Sequence, residues 1–196
     1  MKEELDKLLC EKYPYMFKER HSPMTHTCMC WGFSHGDGWF NILNALCANI
    51  EHHVKWKREQ RAKALIFNRK LARAIAANDP TLLYNPIYAD KEWHINECVS
   101  KFRSHTFEEV PEKVHRVVVE QVKEKFGTLR FYYRGGDEQV YGMVRMAESM
   151  SAVTCEECGA PGTTGGSGWI RTLCDTHRKE ADARRELDDA QMTLDF

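Results

Sequence analysis

Apolar residues along this chain change period several times, and each change predicts an element. Leu5, Leu8 and Leu9 stripe a short amphipathic helix over 4–12, which Pro14 soon ends. Residues 18–38 show no period and read as irregular. From about Trp39 the positions Phe40, Leu43, Leu46, Cys47, Ile50 and Val54 recur at three- and four-residue steps, the mark of a helix. Ala64, Leu65, Phe67, Leu71, Ala72 and Ile75 give the following segment an apolar side, as the same helix or a second one, until Asn78-Asp79-Pro80 stops it. Residues 81–112 are interrupted by Pro86 and Pro111 and predict packed loops with one short helix near 91–103.

Beyond 112 the chemistry turns to strand. Val117-Val118-Val119 is β-branched, and Thr128 to Tyr133 is rich in β-formers, with Lys123 to Gly127 offering the turn between them. This predicts a β-hairpin over 115–134. Val114, Val118 and Val122 also fit helical spacing, so a helix through 112–125 is the competing reading. A helix over 138–151 follows, with Val140, Val144, Ala147 and Met150 inward.

Composition narrows the class. Among 196 residues 42% are hydrophobic, 29% charged and 11% aromatic, as in an ordinary globular protein. The net charge of -1 supplies no global attraction to nucleic acid or lipid. No run of about 18 apolar residues offers a membrane span. Eight cysteines raise the question of disulfides. The acidic start Met1-Lys2-Glu3-Glu4 reads as no signal peptide, so the expectation is a reducing cytoplasm and metal-binding thiols.

The cysteine spacing is the sharpest signal. Cys155-Glu156-Glu157-Cys158 and Cys174-Asp175-Thr176-His177 are two paired-ligand motifs separated by fifteen residues. Such spacing predicts a four-ligand zinc site. Gly159 permits the turn after the first pair, Thr163 to Gly168 reads as a hairpin tip or loop, and Trp169 to Leu173 as a returning strand. His177 would open a helix. Knuckle, hairpin and helix start together predict a treble-clef module with zinc as a structural cofactor.

Weaker constellations compete with bland readings. His26, Cys28, Cys30 and His35, with Cys47 and His52 farther on, could hold a second metal or serve a metal-dependent hydrolase; buried thiols and solvated histidines are the alternative. Gly36-Asp37-Gly38-Trp39 could approach a ligand, or simply start a helix with Asp37 as cap and Trp39 as core anchor. Arg130, Tyr132 and Arg134 share one face of the predicted strand, where they could stack a base and pair a phosphate. Lys55, Lys57, Arg58, Arg61, Lys63, Arg69, Lys70 and Arg73 could track a nucleic-acid backbone, or form a solvated helix face. No H-E-x-x-H, P-loop, G-x-S-x-G or dinucleotide fingerprint is present.

The Gly36 to Trp39 loop, the block Val122 to Tyr132, Cys155-x-x-Cys158-Gly159-x-Pro161-Gly162, Gly168-Trp169 and Leu173-Cys174-x-x-His177 together resemble a group of small zinc proteins encoded by tailed bacteriophages. The resemblance implies a phage gene acting in bacterial cytoplasm and carries no catalytic residue. The expected fold is α+β: helices first, then a hairpin or small antiparallel sheet, then the zinc module. Residues 1–151 form the expected core, 152–187 the zinc module packed on it, and 188–196 a frayed tail. The expected function is a non-enzymatic accessory protein, with an anti-defence role, that sequesters a nucleotide-like signal or a host protein. Its expected ligand surface is Trp31, His35, Asp37, Trp39, Arg130, Tyr132 and Arg134. Nucleic-acid binding through 55–73 and hydrolysis by the 26–35 cluster are the alternatives.

Overall fold

The computed structural model describes residues 1–166 and 168–194. The chain is α+β and divides into two compact units: residues 1–54 with 115–196, and residues 55–114. Helix α2, Phe40–Ala77, runs from the first into the second. The expected zinc module, 152–187, lies within the first unit.

The first unit opens with helix α1, Glu3–Lys12, whose only fully buried apolar residue is Leu9. A short strand β1, Phe33–Ser34, follows in the segment expected to be irregular. It pairs in parallel with strand β2, His115–Lys125, which pairs antiparallel with strand β3, Thr128–Gly136. The hairpin is therefore real and the helical alternative for 112–125 is not. The false helical period has a physical source. Register shifts between His115 and Val118, and between Val119 and Gln121, break the alternation. Val117, Val118 and Val119 are consequently all buried. The Val119 N–H leaves the ladder to donate to Met16 O at 2.8 Å.

Phe126 and Gly127 make the hairpin turn, both with positive φ, 54° and 77°. That pair of signs suits the right-handed twist of the strands. Helix α4, Glu138–Ser151, is capped by Asp137, which accepts from Val140 N. Val140, Val144 and Ala147 are buried as expected, but Met150 is 48% exposed, because it falls at the edge of the stripe. The same unit ends in a small hairpin, β4 at Thr163–Gly165 with β5 at Arg171–Leu173, and helix α5, Asp175–Leu194. The tail expected to fray from 188 thus continues α5 to Leu194; residues 195 and 196, and Ser167 of the expected hairpin tip, lie outside the described residues.

The second unit is helical. Helix α3, Glu92–Ser104, was expected near 91–103. Leu71, Ala74, Leu83 and Cys98 form its core, with Phe67, Ile75, Tyr84 and Phe102 packed against them. Asn68 anchors the returning chain, its amide donating to Glu108 O and accepting from Glu108 N, both at 2.8 Å. Among the described residues no helix is long and apolar enough to cross a membrane.

Candidate metal centre

The Cys155-to-Cys158 turn, the end of β5 and the first turn of α5 bring four side chains together. One ligand atom from each of Cys155, Cys158, Cys174 and His177 lies within 4.8 Å of the others. His177 Nδ1 stands 3.2 Å from Cys174 Sγ and 3.5 Å from Cys155 Sγ, and the Cys158 and Cys174 sulfurs are 3.9 Å apart. This group can hold a metal ion. His177 Nε2 points the other way, 4.0 Å from Glu180 Oε2. At that distance Glu180 is a charged neighbour of the ring and not a hydrogen-bond partner.

The electrostatics favour thiolate. Burial pushes the Cys155 thiol up, but backbone N–H groups of Cys174, Cys158 and Glu157 outweigh it and bring its pKa down to about 6. The neighbouring sulfurs of Cys174 and Cys155 raise His177 above its ordinary value.

The Gly36-Asp37-Gly38-Trp39 loop is the support of this centre. Gly38 N donates to Glu156 O at 2.7 Å, and Gly36 N donates to Glu156 Oε1 at 3.0 Å. Trp39, wholly buried, donates its indole N–H to Thr154 O at 2.8 Å. A Cβ added to Gly38 would stand 2.7 Å from Glu156 O and collide with Cys155 O as well. The glycines are there so that two backbones can touch. Glu156 is itself buried and its other oxygen lies 3.3 Å from Arg171 Nε, on β5. A second tie reaches the large hairpin, where Thr172 Oγ1 donates to Gly127 O at 2.6 Å.

The expected ligand surface is accordingly dispersed. Trp39 and His35 are in the core, where neither presents a face to solvent. His35 holds Gly36 O at 2.7 Å through Nδ1, and its Nε2 is buried without a hydrogen-bond partner. Burial presses its pKa down to about 4, so the ring is neutral. Asp37 accepts from Lys2 N at 2.7 Å and pairs with the Lys2 ammonium at 3.3 Å. Trp31 is 61% exposed and donates to Met24 Sδ. On β3, Arg134 is committed to Glu19 and to Glu120 at 3.1 Å, so its fork is not offered to a phosphate. Arg130 bonds Thr128 Oγ1 and Leu129 O, each at 2.7 Å. Tyr132 remains on the surface beneath the Lys123 ammonium, 5.4 Å from its ring centre.

The 26–35 cluster does not assemble. Cys30 Sγ donates to Thr27 O, Cys28 and His26 are exposed, and His35 turns inward. Among the described residues the Cys155 group alone brings three or more potential ligands together. The side chains of 26–35 are thus not gathered into a ligand group of this kind.

At 3.6 residues per turn Arg58, Arg69, Lys55, Arg73, Lys70 and Lys63 fall within an arc of roughly 140° of the helix, and Lys57 and Arg61 lie off it. Arg58 donates to Val114 O at 3.3 Å and Arg61 to Pro111 O, so both are used to hold the chain returning after α3.

Glu156 is the functional residue that sequence reading missed. Its place between the two cysteines hid it, although an acid inside a C-x-x-C turn with an arginine two residues ahead of Leu173 is a legible pair. Comparison with protein-family models, with curated proteins and with solved structures returns no match.

Proposed function

We propose that Cys155, Cys158, Cys174 and His177 hold a structural zinc ion in a treble-clef-like module, and that the chain is a non-enzymatic binding protein built around it. The closed ligand set carries this reading: four convergent ligand atoms all come from protein side chains. Zinc favours four tetrahedral sulfur and nitrogen ligands, and a fourth protein ligand leaves no position for substrate water. Three thiolates and an imidazole are too soft a set for magnesium or calcium. The ion would tie the Cys155 knuckle, β5 and α5 into one body beneath the Gly36 to Trp39 loop.

Recognition then belongs to the protein surface. The outer side of β2 and β3 offers Tyr132, 42% exposed, beside Lys123 and the half-buried Arg130. An exposed ring flanked by cations suits a flat anion. With the sequence resemblance, this supports a phage accessory protein that sequesters a nucleotide-like signal and so counters host defence.

Native mass spectrometry of freshly purified protein is expected to show one zinc per chain. Structural zinc contributes on the order of 10 kcal/mol to folding at neutral pH, so Cys158→Ser is expected to be insoluble or protease-sensitive. A soluble, folded, metal-free Cys158→Ser chain sinks the zinc assignment. Cyclic nucleotides at micromolar concentration are expected to raise the melting temperature, and Tyr132→Ala to abolish the rise; no shift across such a panel removes the nucleotide reading and leaves the zinc one standing.

A further inference from the structure

The unit of residues 55–114 contains a cavity of about 290 Å³, just below the usual range of ligand pockets, roughly 300–1,000 Å³. Two helices build it with the same spacing. Lys63, Ile66, Phe67 and Lys70 come from α2 at i, i+3, i+4 and i+7, and α3 answers with His94, Glu97, Cys98 and Lys101. Each set is one helix face. Leu83, buried in the core cluster, helps close it.

The charges in it are not equivalent. Lys101 is neutralised: its ammonium lies 3.2 Å from Glu97 and 3.1 Å from Glu108, above the Phe67 ring. Lys63 and Lys70 have no ion-pair or hydrogen-bond partner among the described residues, and the one acid in the lining, Glu97, is already engaged. His94 adds a donor. Its Nε2 accepts from Asn85 N at 2.8 Å, which leaves the ring proton on Nδ1, 3.9 Å from the Cys98 sulfur as a long, weak contact. Two unspent ammoniums and an imidazole N–H thus border an apolar patch of Ile66, Phe67 and Leu83.

We propose that this cavity binds a small organic anion: a carboxylate or phosphate ester carried on a flat apolar body. The body packs on Phe67, Ile66 and Leu83, while the anion reaches Lys63 and Lys70. The volume takes one ring system and excludes an oligonucleotide. None of the lining belongs to the unit that carries the metal cluster, so the inference does not rest on the zinc reading.

The test is titration of the full chain at low salt, followed by ¹H–¹⁵N NMR. The probes are 2-naphthoate and adenosine monophosphate, with neutral 2-naphthamide and adenosine as controls. At least one charged probe is expected to shift the amides of 63–70 and 94–101 saturably, and to bind about tenfold or more tightly than its neutral control, as one charge-assisted hydrogen bond provides. A response to naphthoate alone assigns a carboxylate ligand, and one to the nucleotide alone a phosphate ester. The charge-swapped K63E/K70E chain, altered only at exposed positions, is expected to lose the saturable shift while its circular dichroism is unchanged. Shifts confined to 123–132 would support the hairpin surface and overturn the pocket. So would neutral probes binding equally well, K63E/K70E binding as the wild type does, or no saturation by about 1 mM. The wild-type shift map decides the matter even if K63E/K70E fails to fold.

Discussion

The backbone N–H of Gly38 donates to the carbonyl of Glu156 at 2.7 Å, joining the loop before α2 to the Cys155–Cys158 turn. No side chain fits between them. Gly38→Ala must push the two backbones apart, and overpacking of this kind costs roughly 1–3 kcal/mol. Gly142 makes the opposite case. It lies exposed within α4 with nothing within 4 Å of an added Cβ. Gly142→Ala is expected to stabilise by roughly 0.5–1 kcal/mol. Urea unfolding of the two variants beside the wild type checks both signs, and Gly38→Ala is also expected to lose metal more readily to a chelator.

His35 makes stability depend on pH. Its folded pKa of about 4 lies below the ordinary histidine value because burial disfavours the charged ring. Between these values the unfolded chain binds more protons than the folded one. The stability that His35 contributes is therefore complete above its unfolded pKa and is lost as pH falls toward 4. Its share between pH 7 and pH 4.5 is about 2 kcal/mol. Titration of the Cys155 thiol falls in the same window but is common to wild type and His35→Asn. The measurement is the difference in unfolding free energy between those two proteins at both pH values. That difference is expected to move by this amount in favour of the variant on acidification; a constant difference refutes the assignment.

Phe126 holds a positive φ of 54° while its side chain is 67% exposed. An ordinary residue in this conformation loses about 1–2 kcal/mol. Phe126→Asn, which the turn prefers, is expected to raise stability by about 1 kcal/mol. A Tm unchanged or lower would mean that the exposed ring makes a contribution of its own.

Thr172 is wholly buried and its hydroxyl joins two hairpins, donating to Gly127 O at 2.6 Å and lying 2.6 Å from Thr164 Oγ1. Thr172→Val keeps the shape and strips the donor. Leaving the Gly127 carbonyl without it costs about 1–3 kcal/mol, whereas Thr172→Ser is expected to restore most of the loss. Thermal unfolding of the pair separates hydrogen bonding from packing.

Periodic elements were legible because local sequence decides them. The apolar stripes of α2 and α4 and the paired ligand spacing at Cys155 and Cys174 each sit within one short window. Strand β1 was not legible: two residues cannot carry a period, and Phe33 and Ser34 become a strand only by meeting Val122 and Lys123. The Gly36 to Trp39 loop reads either as a ligand loop or as a helix entry with Trp39 as core anchor for a related reason. Its glycines signal close approach, and sequence alone does not say whether a ligand or the chain's own Glu156 does the approaching. Arg134 likewise reads as a free cation until the fold brings Glu19 beside it.

The separation of Gly36 from Glu156, 120 positions, also bears on the order of synthesis. The loop that supports α2 at its start finds its partner only after the C-terminal knuckle has left the ribosome. Contacts this distant in sequence form late, since a long loop must close first. Residues 55–114 have no such wait, because their core lies within their own segment. During translation the middle of the chain can be finished while both ends are still open. In the zinc reading, the supply of metal then governs how long the buried indole of Trp39 stays exposed to water, and so how long the nascent protein is vulnerable to aggregation and proteolysis.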